Sequence, residues 1–210
     1  MQPKAESGGL TFTEAARRRQ IVTAAIETIA ELGYAKASFT QIARRARLSS
    51  ASLISYHFAD KDDLIEQVVA EIYTVGGAVV SPHSDGATSA WQALRGYLEG
   101  SIAFYDTHRT HMRVLIQILQ GHPDALGRWA GVNNAAELEG VEQVLIRGQR
   151  AGEFRDFDPR TVAIIIRQML SGALQQLLTQ PDLDLAGYTH ELVALCEHAV
   201  AATDRRRPHG

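Results

Sequence analysis

The stretch LSSASLISYHFADKDDL, Leu48 to Leu64, decides how the rest of the chain is read. Small hydroxyl residues come first, then Leu53-Ile54, then Tyr56-His57-Phe58, then Lys61 among three aspartates. A short core helix with its exit turn needs only the apolar residues. A surface that presses on a polyanion needs the serines, Tyr56, His57 and Lys61, all of which can donate hydrogen bonds.

The flanks bear on that choice. Upstream, Thr11 and Glu14 have capping-box spacing. They open a helix in which Ile21, Ala25, Ile29 and Leu32 recur at helical intervals, with Val22 and Ile26 beside them. Gly33 is its natural stop. Ser38-Phe39-Thr40-Gln41 repeats the capping signal ahead of Ile42, Ala43 and Ala46, a second helix of about two turns. Ser49 or Ser50 is expected to cap a third short helix, with Leu53, Ile54 and Phe58 as its apolar positions. Asp60, supported by Asp63, caps a fourth. Its apolar residues are Leu64, Ile65, Val68, Val69, Ile72 and Val75, and it is expected to end near Gly76-Gly77.

Beyond the loop SPHSDGATS the pattern stays helical over 88–107, 109–120, 132–150, 159–179 and about 187–203, with a short piece holding Leu126 and Trp129. Pro159 sits at a helix-start position. No segment alternates convincingly as a strand. The expected fold class is all-α: an N-terminal three-helix head containing a helix-turn-helix, joined to a larger helical body.

The chain has 210 residues, 45% of them hydrophobic, enough for one large domain or two small ones. No apolar run approaches the ~20 residues of a membrane span, and MQPKAESGGL lacks a signal peptide's apolar stretch. The single cysteine, Cys196, falls in an apolar helical pattern and reads as a buried structural thiol. A cytoplasmic location is expected. The net charge of -3 hides an asymmetry: residues 1–61 hold 9 Lys+Arg against 5 Asp+Glu, a net of +4, and residues 62–210 hold 12 against 19, a net of -7. A basic first quarter on an acidic body suits an anionic partner for that quarter.

A helix, a tight turn and a short hydroxyl-rich helix have the geometry of a helix-turn-helix. DNA reading needs small or hydrogen-bonding side chains at the start of the second helix, and Ser50, Ser52 and Ser55 fit. It needs phosphate donors around the rim, and Arg44, Arg45, Arg47, Tyr56, His57 and Lys61 fit. Ser38 and Thr40 stand at a helix N-terminus whose amides also favour phosphate.

FTQIARRARLSSASLISYHFADKDDLI, with Ile42-Ala43, Ala46, Leu48-Ser49, Tyr56-His57-Phe58, Lys61 and Leu64, resembles the DNA-binding segment of the TetR/AcrR family of transcriptional regulators. RGQRAGEFRDFDP, residues 147–159, resembles the link between the last two long helices of such proteins. Where the family commonly has glycine in the turn, this chain has Arg47. The resemblance implies that Tyr56, His57 and Lys61 hold phosphates and that Thr40, Ser50, Ser52 and Ser55 lie at the groove of a double-stranded operator.

For the body the resemblance implies a small-molecule effector pocket and a homodimer, most often a repressor. The large side chains Trp91, Tyr97, Phe104, Tyr105, Met112, Ile116, Leu119 and Trp129 are the candidate pocket wall, for a mostly apolar ligand. Val141, Leu145 and Gly148, with Ile166, Leu170 and Leu174, are the candidate dimer interface. The expected organisation is a disordered tail over 1–10, a DNA-binding domain over 11–59, an effector and dimerisation domain over 60–203, and a basic tail over 204–210. No cofactor is implied. The rival readings are an activator of the same fold, a helical adaptor without DNA, and a metal enzyme built on His108 and His111.

Overall fold

In this computed structural model, residues 12–125, 128, 132–180 and 182–202 are described. The expected tails 1–10 and 204–210, the Thr11 cap, Leu126 and Trp129 lie outside these residues.

Helix α1, Phe12–Leu32, buries Ile21, Val22, Ala25, Ile26 and Ile29 on one face. It stops at Gly33, whose φ of 84° is open to glycine and whose N–H donates to Ile29 O at 2.9 Å. After a single 3-10 turn, Tyr34–Lys36, the Ser38 hydroxyl accepts the Gln41 N–H and opens α2, Phe39–Arg45. Helix α3 is Ser52–His57. Neither Ser49 nor Ser50 caps it, against expectation. The residue before the helix is Ala51, already helical at φ -66° and ψ -23°, whereas a side-chain cap needs an extended residue there.

Helix α4, Lys61–Ser84, starts with a reciprocal cap. Asp60 accepts the Asp63 N–H, and Asp63 accepts the Ala59 N–H, both at 2.9 Å. The expected stop at Gly76-Gly77 is wrong. The helix runs on through both glycines and Pro82. A Cβ on Gly76 would stand 3.0 Å from the Phe104 ring, so this glycine lets a neighbouring helix approach rather than ending its own. Part of the expected loop 81–89 is therefore helix.

Helices α5, Ala90–Thr107, and α6, Arg109–Gly121, follow. Then come α7, Val132–Arg150, α8, Pro159–Thr179, with Pro159 in its first turn, and α9, Leu185–Val200. Asp158 and Asp184 cap the last two through the N–H groups of Thr161 and Gly187. The α5 N-terminus has a second, distant cap: Glu153 accepts the Ala90 and Trp91 N–H groups, each at 3.0 Å.

Two cores organise the molecule. The first joins α1–α4 with Phe104, Met112, Val114 and Ile118, so it draws on residues from both sides of position 60. The second joins α5, α7, α8 and α9 through Leu94, Leu98, Leu145, Phe154, Leu170, Cys196 and others. By length and composition α4 could cross a membrane. Its Leu64, Ile65, Val68, Val69 and Ile72 instead fill the first core.

The second core corrects the expected dimer contacts. Val141, Leu145, Ile166 and Leu170 are at most 3% exposed within one chain, so a partner has nothing of them to touch. Gly148 is closed off by the Phe154 ring, 2.1 Å from where its Cβ would be. Leu174 faces an internal cavity. The exposed apolar residues of α8 are Ile164 and Ile165, at 43% and 52%.

Two predictions follow from the backbone and the second core. Arg47 holds φ 54°, the left-handed region, which costs a side chain about 1–2 kcal/mol. Arg47→Gly removes that strain at the expense of about 0.5–1 kcal/mol of glycine entropy. The net gain should raise Tm by roughly 2 °C for a chain of this size, readable by calorimetry; an unchanged or lower Tm would show that the turn is not strained. Burial pushes the Cys196 thiol up to about 11, leaving almost no thiolate at neutral pH. Maleimide labelling should be slow in the native protein and fast in denaturant, and rapid native labelling would contradict the packing.

Candidate nucleic-acid interface and internal cavity

In the head, Ile54 and Phe58 are spaced i,i+4 and both point inward, so the opposite side of α3 faces out. Ser50, Ser52, Ser55 and Tyr56 are exposed, Tyr56 at 75%. Thr40, Ser38, Arg44 and Arg47 are exposed too, and His57 is half-buried with its ring edge-on to Tyr56 at 5.0 Å. Leu53, expected inside, is outside and 39% exposed. It cannot share the inward face with the Ile54–Phe58 pair.

The outward face is held by α1. The Arg18 guanidinium donates to His57 O and stacks over the Phe58 ring at 4.2 Å. Gln20 donates to Ala46 O at 2.8 Å. Arg45 pairs with Glu27 and Glu31, and so is committed to α1. Sequence reading missed Arg18 and Gln20. Their only signal is two polar residues on the α1 turn preceding Ile21, and their partners are backbone carbonyls with no sequence signature.

Lys61 also departs from the expected phosphate rim. Its ammonium donates to Tyr34 O at 3.0 Å and sits 4.2 Å above the Tyr34 ring. Burial lowers its pKa, with Asp62 working the other way. Next to it, Asp62 meets His122 Nε2 at 3.2 Å and Arg128 at 3.1 Å, and the His122 ring lies edge-on to Tyr34. The start of α4 is thus tied to the end of α6.

Behind the head, α4–α8 line a half-open cavity of about 1020 Å³. Of the expected wall, Tyr97, Phe104, Tyr105, Met112, Ile116 and Leu119 line it. Trp91 does not; it packs against the second core. Leu115 and Leu174 add to the apolar side. The polar groups gather elsewhere on the wall. Tyr97 donates to Glu137 at 2.9 Å and accepts from Arg167 at 3.1 Å, and Arg167 pairs with Glu137. Burial, then Glu137, raises the pKa of Tyr73, Tyr97 and Tyr105, so all three stay neutral phenols. Glu137 and Arg167 were not singled out in the sequence; an isolated Glu and Arg thirty residues apart read as ordinary surface.

Helix α6 has two working faces. Met112, Leu115, Ile116 and Leu119 face the cavity, while Val114 and Ile118 are buried in the core shared with the head. The rings of His108 and His111 lie edge to face at 5.5 Å. Among the described residues, no group of three or more His, Cys, Asp or Glu is arranged to hold a metal.

A capped helix, a tight turn and an outward hydroxyl-bearing helix, all pinned to a supporting helix, define a helix-turn-helix protein. Residues 21–68 match the family described as "Bacterial regulatory proteins, tetR family". Over those residues the chain is similar to the TetR family of DNA-binding regulators.

Among its relatives is the HTH-type transcriptional regulator BetI 1 of Chromohalobacter salexigens, 35% identical over 46% of this chain and 48% of that one. The match thus spans about half the length of that relative. BetI of Cronobacter sakazakii is 29% identical over 77% of each chain. A TetR-like transcriptional regulator from Rhodococcus sp. RHA1 has the same fold, with a TM-score of 0.68, 19% identity, and 93% and 96% of the two chains covered. So does a chain from Saccharomonospora viridis solved in complex with choline, with a TM-score of 0.73, 21% identity, and 90% and 100% covered.

Proposed function

We propose that this protein is a cytoplasmic, homodimeric transcriptional repressor that leaves its operator when a mostly apolar effector fills the cavity. Residues 11–59 read DNA, and residues 60–203 bind the effector and the second subunit. The observation that carries this reading is the double role of α6. One face lines the cavity and the other is core to the head, so material entering the cavity bears on the element that supports DNA reading. The outward groups of the head supply the chemistry: Ser50, Ser52 and Ser55 for base edges, and Arg44, Tyr56 and His57 for phosphates. Lys61 acts through Tyr34 as a support for that surface.

Two half-sites lie about 34–36 Å apart, so a single head is not enough. The outer face of α8, with Ile164 and Ile165, is where the second copy docks. An effector that prefers the released spacing lowers DNA affinity by its own preference, typically about 1–3 kcal/mol, and DNA lowers effector affinity equally. The choline seen in the Saccharomonospora viridis chain is a small cation. Here the cavity is at the top of the ~300–1,000 Å³ range for drug-sized ligands, and its carboxylate is already paired with Arg167. A larger, less polar effector suits it better.

Selection of bound duplexes from random DNA tests the function directly. A recurring two-fold motif supports it, and no enrichment would refute it. With the selected duplex, Arg44→Ala should weaken binding to all sequences alike and lower the salt slope by about one unit. An unchanged slope removes Arg44 from the phosphate rim. Ile165→Arg should place an unpaired charge in the docking face and yield monomers by sedimentation, while an intact dimer would move the interface elsewhere.

A further inference from the structure

The charges inside the cavity restrict what it can hold. Its inner wall carries one carboxylate, Glu137, and one guanidinium, Arg167, and these are paired with each other. Tyr97 links them, donating to one and accepting from the other. Among the described residues, the other charged side chains on the lining are Asp85 and Arg147, both exposed, and Glu153. Glu153 is engaged by the α5 N-terminus.

An anionic end group brought to Arg167 would meet Glu137 beside it. A cationic end group brought to Glu137 would meet Arg167. At this pair either ion would give up water without gaining an unanswered opposite charge. An uncharged polar group pays far less. The phenols of Tyr73 and Tyr105 lie on the same wall, near Glu137, and can donate or accept without breaking the pair. From α6 only Met112, Leu115, Ile116 and Leu119 line the cavity.

We propose that the cavity selects uncharged amphipathic molecules, with a hydroxyl, carbonyl or amide held at Tyr73 and Tyr105 and an apolar body laid against α6. This inference rests on the cavity being the effector site, and it excludes both carboxylates and quaternary ammonium ions as preferred ligands.

Displacement of the neutral dye Nile red from the full chain tests it with three probes of equal tail length: decanol, decanoate and decyltrimethylammonium. Decanol should displace the dye at concentrations at least tenfold lower than either ion. Equal or better displacement by an ion overturns the charge selection while leaving the effector site in place. Failure of all three probes, or of the dye itself, to bind overturns both. Two variants read the cause from opposite directions. Glu137→Gln leaves the guanidinium unanswered and should strengthen decanoate about tenfold. Arg167→Met leaves the carboxylate unanswered and should do the same for decyltrimethylammonium. A uniform loss for all three probes in both variants would mean the pair only supports the wall, and would also overturn the selection.

Discussion

The reciprocal cap between Asp60 and Asp63 is the constraint on which the molecule turns. It starts α4 only three residues after α3 ends, leaving no slack between the DNA-facing helix and the longest helix of the body. A flexible joint here would uncouple the two. Instead the Ala59 and Asp63 N–H groups are satisfied by the Asp63 and Asp60 carboxylates, at 2.9 Å each. The buried face of α4 then continues the core begun by α1 and α2. Head and body therefore share the first core, and the head's orientation is set by packing rather than by a linker.

The same economy recurs at α6. Its end is fastened to the start of α4 through Asp62, His122 and Arg128, and Tyr34 fills the space against Gly121. Its middle is wedged between the cavity and the first core. A close-packed interior transmits displacement because it has little free volume to absorb it. The Lys61 ammonium over its ring and the His122 ring edge-on to it make Tyr34 the meeting point of head, α4 and α6.

Much of this was legible in the sequence because it rests on local rules. Ser38, Asp60 and Pro159 announce helix starts through spacing alone, and 132–150 and 159–179 match α7 and α8 residue for residue. The misreadings came where a distant neighbour outweighed the local signal. Gly76 reads as a terminator until Phe104 is set against it. Leu174, Leu170 and Leu145 all look like interface, but one faces a cavity and two face the protomer's own core. Hydrophobic period shows that a helix buries more than one face. It cannot show whether the second face meets a partner, a void or another helix of the same chain. The Glu137–Arg167 pair was invisible for the same reason, since only the fold brings α7 and α8 side by side with Tyr97.

The distant cap on α5 has a consequence for how the chain is made. Among the described residues, the buried side chains of the first core all lie at or before position 125. The second core waits for Phe154, Cys196 and Val200, and the α5 N-terminus keeps two unanswered N–H groups until Glu153 arrives. A chain emerging from the ribosome therefore has the buried residues of its head in hand before those that cover the apolar face of α5. The loop that supplies Glu153 is then stitched to the far end of the chain, with Arg155 N–H donating to Val200 O at 2.9 Å and Ala202 N–H donating to Glu153 O at 3.1 Å. The last turn of the last helix thus acts as the clasp of the whole body, and a nascent chain stalled short of it would carry a finished head on an unfinished chamber.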